Sequence, residues 1–113
     1  MKTLGILGGT GPESTIDYYR LLLDEHARRC PGHGNPPLLI NSVNFEEIMV
    51  FIRAGDWPNL AHWVAEKFQE LKRAGADFGL IAANTPHMAF DLLEPIAPLP
   101  LVSIVEATGA VAK

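Results

Sequence analysis

The sequence lacks most of the features that assign a chain to a class at sight. It has a single cysteine, Cys30, which excludes an intramolecular disulfide. No apolar run approaches the roughly 18 to 20 residues that a membrane-spanning helix needs, so no membrane partner is expected. Lysine and arginine number 9 against 13 aspartates and glutamates, a net charge of -4. That balance provides no basic patch for a phosphate backbone, and nucleic acid is not expected as a partner. The opening MKTLGILGG has a lysine and an apolar core, but the core is too short for a signal peptide and runs into glycine and proline where a cleavage site belongs. Together these absences point to the cytoplasm. Internal repeats, low-complexity tracts and linkers are also missing.

What remains is an ordinary globular composition: 113 residues, 48% hydrophobic and 19% charged, enough for one domain over residues 1–113 with a real core. Leu4 to Leu7, closed by Gly8 and Gly9, reads as a buried strand. After Pro12 the apolar residues Ile16, Tyr19, Leu22 and Leu23 recur at helical spacing. That helix ends by Cys30, because CPGHGNPP can only be a loop. Leu38 to Val43 is a second strand, and Phe45 to Arg53 a short helix stopped at Ala54-Gly55. Asp56 caps the next helix, where Trp57, Leu60, Trp63, Val64, Phe68 and Leu71 form an apolar stripe of core residues ending at Gly75. Ala76 to Ala82 is a third strand, His87 to Leu93 a helix, and Leu99 to Ile104 a fourth strand. From Glu106 a further helix still runs at Lys113 without a cap, as expected of a fragment. Strands alternating with helices predict an α/β fold: an open parallel four-stranded sheet with helices on both faces.

Ligands of such sheets bind at the strands' C-terminal ends. Two polar turns belong there, GGTGPEST after the first strand and ANTPH after the third. Thr15 adds a hydroxyl at the first turn, and together the turns offer a ligand backbone N–H groups, the hydroxyls of Thr10, Ser14 and Thr85, and the Asn84 amide. Gly8, Gly9 and Gly11 allow unusual backbone angles and close ligand approach, and Glu13 favours the helix start. Such a set holds a carboxylate or phosphate without lysine or arginine. In the simpler reading, Asn84 and Thr85 merely cap the helix that Pro86 opens.

Other chemistries fit less well. A dinucleotide fingerprint fails at Gly9-Thr10-Gly11-Pro12-Glu13-Ser14, which has serine in place of the third glycine. LLINSVN then ends in amides where the ribose-binding acid belongs, and no Gly-Lys-Ser/Thr phosphate loop occurs. Cys30 and His33 lack the further ligands of a zinc site, so no metal is expected. His62 reads as a solvated surface residue. His87 either reaches the Asn84 pocket or packs against a neighbouring strand, and no Ser-His-Asp arrangement can be assembled.

MKTLGILGGTGPESTIDYY, SVNFEEI with AGDW, and AANTPHMAFD together resemble the amino-terminal half of aspartate racemases of the aspartate/glutamate racemase family, from Met1 to Lys113. The resemblance implies one of two similar α/β domains with the active site between them, a cofactor-independent amino-acid racemase without pyridoxal phosphate, and a homodimer. It implies substrate contacts from Thr10, Asn84, Thr85 and the backbone of Ala83. In that family the residue before the Asn-Thr turn is a cysteine base, less often threonine. Here it is Ala83, whose methyl group moves no proton, and no catalytic residue is identifiable in this half. Cys30 lies at the far end of the first helix and cannot replace it. Ile52 stands where aspartate-specific relatives place a polar or basic residue for the distal carboxylate, which leaves aspartate or a related amino acid as substrate. Arg53 faces another direction, and Glu46 and Glu47 solvate their helix. The competing implication is a non-catalytic amino-acid or dicarboxylate-binding module that kept the anion-binding turns and lost the base. A nucleotide-dependent oxidoreductase is the third.

Overall fold

A computed structural model of the chain describes residues 2–9, 12–32, 34–81 and 87–102, with backbone alone at 12–14 and 87–89. The elements alternate as the periodicity predicts: β1 (Leu4–Gly8), α1 (Pro12–Arg29), β2 (Leu38–Ser42), α2 (Phe45–Ala54), α3 (Trp57–Arg73), β3 (Phe78–Ile81) and α4 (His87–Leu93). Every residue of β1 is buried, since β1 is the middle strand of a parallel sheet ordered β2-β1-β3. A parallel strand covered on both faces has no solvent side, which is why LGILG carries no polar residue.

The register separates the two faces. Leu4 lies between Leu38 and Phe78, and Ile6 between Ile40 and Leu80. On that face Leu4, Ile6, Phe78 and Leu80 close over Leu22 of α1. Leu7 points the other way, into a larger core with Ile48 of α2, Leu60, Val64, Phe68 and Leu71 of α3, and Leu93 of α4. Phe68 sits so close to β3 that a side chain at Gly79 would come within 2.6 Å of its ring. Helices therefore cover both faces, α1 on one and α2, α3 and α4 on the other.

Local signals set the helix ends. Asn44 accepts the Glu46 N–H at 3.0 Å and caps α2, which ends on Gly55 in the left-handed region. Asp56 accepts the Asn59 N–H at 3.3 Å and opens α3. The stripe on α3 is core as expected at Leu60, Val64, Phe68 and Leu71, whereas Trp57 and Trp63 are half-buried at its rim. Trp63 meets Phe51 with ring centroids 6.4 Å apart, and the Lys67 ammonium lies 5.2 Å from its ring centroid.

Three expectations need correction. Among the described residues the sheet has three strands, not four. Leu101 adds a single parallel bridge to Gly79, through Gly79 N–H to the Pro100 carbonyl and Val102 N–H to the Gly79 carbonyl, each 2.8 Å. Pro98 and Pro100 have no N–H to extend that ladder backward, and residues 103 onward lie outside the described ones, as does the helix expected from Glu106. β3 begins at Phe78 and not at Ala76, because the Ala76 N–H donates to the Leu71 carbonyl in closing α3. On α1, Ile16 and Tyr19 are exposed, while Leu22 and His26 are buried.

Candidate active site

All three strands run in one direction, so Gly8, Ser42 and Ile81 end at one edge of the sheet. β1 and β3 are direct neighbours, Leu7 opposite Ile81, and strands so paired lie about 4.8 Å apart. The C-terminal ends of these two strands therefore lie side by side. The chain after β1 enters α1 on one face, and the chain after β3 enters α4, whose Leu93 belongs to the core of the other face. Adjacent strands whose following helices take opposite faces create a topological switch point, and the crevice outside it is where open α/β sheets bind ligands.

Of the residues singled out from sequence, Thr10, Gly11, Ala83, Asn84, Thr85 and Pro86 lie outside the described residues, as do the side chains of Glu13, Ser14 and His87, and His33 altogether. Their neighbours along the chain are described: Gly9 and Pro12 about the first turn, Ile81 and His87 about the second. Thr15 is at this edge, its hydroxyl accepting the Gly9 N–H at 3.1 Å. Gly9 has φ of 85°, a conformation that favours glycine. Val43 N–H donates to the Gly8 carbonyl at 2.9 Å, which ties the start of the turn to the end of β2. The crowding at Gly8 and Gly9 comes from protein atoms: Thr15 beside Gly8, Ser42 and Val43 beside Gly9. Ser42 was not flagged by the sequence, where its one signal is its place as the last residue of an apolar strand.

The amides within and just after β2 serve the fold. Asn44 caps α2, and the Asn41 side chain donates to the Lys67 carbonyl at 3.3 Å. Ile52 is half-buried on α2 and packs against the larger core, while Arg53 beside it is exposed with its guanidinium 4.0 Å from Glu46. Glu46 and Glu47 are exposed on the first turn of α2, and His62 is exposed on α3. Cys30 follows the last residue of α1, about 27 Å of helix away from the switch point. Among the described residues no group of His, Cys, Asp and Glu could hold a metal ion. The carboxyl of Glu25, held below its usual value chiefly by the Arg28 hydrogen bond, lies towards the far end of α1.

Residues 7–113 match the Asp/Glu/hydantoin racemase family. The chain belongs to this family. A crystal structure of a candidate Asp/Glu racemase from Yersinia pestis superposes with a TM-score of 0.84 at 35% identity, over 97% of this chain and 48% of that one. An aspartate racemase homologue from Pyrococcus horikoshii OT3 gives a TM-score of 0.74 at 38% identity, over 94% of this chain and 46% of that one. In sequence the chain is 23% identical to the broad specificity amino-acid racemase RacX of Bacillus subtilis (strain 168), over 93% of its own length and 47% of that protein's. The chain thus spans about half the length of these racemase relatives, consistent with the amino-terminal half of a racemase.

Proposed function

We propose that the protein is a cofactor-independent amino-acid racemase that interconverts the L and D forms of aspartate or a related amino acid, without pyridoxal phosphate, at the crevice beyond β1 and β3. The observation that carries this reading is the adjacency of those two strands at a switch point, in a chain of the racemase family. The turn holding Thr10 and the turn holding Asn84 and Thr85 start from neighbouring strand ends. Their hydroxyls, amide and backbone N–H groups, including that of Ala83, form a cradle for the substrate carboxylate.

Racemisation removes the α-proton from one side of the carbon and returns one to the other, so it requires acid/base groups on both sides. As the proton leaves, the carboxylate takes on enolate-like charge, and fixed donors at this edge stabilise that charge more than the ground state. The domain described is one of two similar α/β domains that enclose the substrate in a cytoplasmic homodimer. Ala83 gives this half no base. Its contribution is to bind and to stabilise charge, while a base in the second domain abstracts the proton and solvent water on the side of this half returns one to the opposite face, in place of the acid that Ala83 cannot supply. Ile52 places an apolar group where an aspartate-specific site has a polar or basic one, which favours a substrate range wider than aspartate.

Heavy-water incubation of the full-length protein with aspartate, glutamate and several neutral amino acids tests this. α-Deuterium uptake with inversion supports a racemase, and uptake with retention a one-sided enzyme. Ala83→Cys should then raise the exchange rate by about a hundredfold or more, the usual yield of a positioned acid/base group. Ala83 itself favours a second reading, a binding module for amino acids or dicarboxylates. Measurable binding with no exchange for any of these amino acids would select it.

A further inference from the structure

We propose that Thr15 is a positioning residue of this site, which sets where the glycine turn leaves β1 and hence where Thr10 is presented. The proposal rests on reading that turn as one wall of the substrate cradle. Its own support is the way two elements close on Gly8 and Gly9.

From α1, the Thr15 hydroxyl accepts the Gly9 N–H at 3.1 Å, a bond that spans the turn. Thr15 also lies against Gly8: a Cβ there would come 2.7 Å from its Cγ2 and 2.9 Å from its Oγ1, so only glycine lets the helix approach this closely. Just past β2, the Val43 N–H donates to the Gly8 carbonyl at 2.9 Å. A Cβ on Gly9 would collide with the Val43 carbonyl and approach Ser42 Oγ to 2.8 Å. Gly9 is thus gripped between the first turns of α1 and the end of β2, in a backbone conformation that L side chains avoid.

Two consequences follow for chemistry. The Gly9 N–H is already committed to Thr15, so the donors this turn offers a carboxylate begin at Thr10. The direction in which the chain leaves Gly9 is also fixed before any substrate arrives. Threonine suits this task, because branching at Cβ restricts its χ1 and holds the hydroxyl in place. Donors set in advance on a developing charge lose effect steeply when displaced by even an ångström.

The test compares Thr15→Val, which keeps the shape and removes the acceptor, with Thr15→Ser, which keeps the acceptor and removes the methyl, both in the full-length protein. For Thr15→Val, kcat for α-deuterium exchange on L-aspartate, or on whichever tested amino acid the wild type exchanges, should fall about tenfold or more, with a smaller change in KM. The Gly9 amide proton should exchange with water about tenfold faster by NMR. Thr15→Ser should restore both to within about threefold of wild type. Unchanged Gly9 protection in Thr15→Val, or a serine variant as impaired as the valine one, overturns the proposal. A wild type that exchanges no amino acid defeats the racemase reading instead. The positioning role is then judged on the Gly9 and Thr10 amide resonances: displacement in Thr15→Val with recovery in Thr15→Ser upholds it, and unmoved resonances overturn it.

Discussion

The two faces of the sheet are built unequally. On one, α2, α3 and α4 bury Leu7, Ile48, Val64, Phe68, Leu71 and Leu93 in a continuous core. On the other, among the described residues, α1 covers Leu4, Ile6, Phe78 and Leu80, with Leu22 as its fully buried apolar contact and Val102 beside them. Of the other apolar residues of α1, Tyr18 packs half-buried against this core, while Ile16 at 54% and Tyr19 at 41% exposure face outward, and Ile40 of β2 on the same sheet face is 43% exposed. The contrast separates tasks. The α3 face supplies most of the buried apolar surface, while the α1 face bears the helix that grips the glycine turn. A helix held by few core contacts depends more on each specific one, which gives the bond from Gly9 to Thr15 its weight.

Substitutions in the full-length protein can break or sharpen that comparison. The largest effect belongs to Phe68→Ala, which empties the site against Gly79 and should cost about 3–5 kcal/mol by denaturant unfolding. Leu22→Ala should cost less, about 2–4 kcal/mol, because its surroundings are thinner and can relax. An equal or larger loss at Leu22 would erase the proposed asymmetry. Asn44→Ala removes the cap of α2 and should cost about 1 kcal/mol, with the loss largely recovered by Asn44→Asp. Tyr19→Ser should change stability by no more than about 0.5 kcal/mol. A greater loss would reveal a partner surface over the outward stripe of α1.

The smallest effect is electrostatic. Arg28 donates to Glu25 at 2.6 Å, and this hydrogen bond, ahead of the charges of Arg28 and Arg29, lowers the Glu25 pKa. A carboxyl depressed in the folded state contributes stability above its unfolded pKa of about 4.3 and loses it as pH falls through the folded value. Glu25→Gln should therefore lower stability slightly at neutral pH and leave it unchanged at acid pH below the folded value, which flattens the acid limb of the stability profile.

Much of this architecture was legible in the residues. The apolar runs located β1 and β2, Asp56 and Gly75 marked the ends of α3, and the prolines around Leu99 bounded the last described segment. The α1 stripe misled for a physical reason. Ile16, Tyr19, Leu22 and Leu23 recur at helical spacing, but so do Tyr18, Leu22 and His26 on a flank that shares only Leu22 with them, and periodicity cannot say which flank meets a sheet. The second flank does, burying His26, which no sequence signal distinguished. At the site, the glycines were read as room for a ligand, whereas Gly8 and Gly9 also make room for Thr15, Ser42 and Val43. Composition shows that a backbone approaches something closely, and only the fold shows what.

The central claim is that the turns beyond β1 and β3 close on an amino-acid carboxylate. A crystal structure of the full-length protein with bound L-aspartate addresses it most directly. The expected result is a carboxylate in the β1/β3 crevice, within about 3 Å of donors from Thr10 and from Asn84 or Thr85. Aspartate bound elsewhere, or those donors wholly engaged with the protein's own backbone, would contradict it.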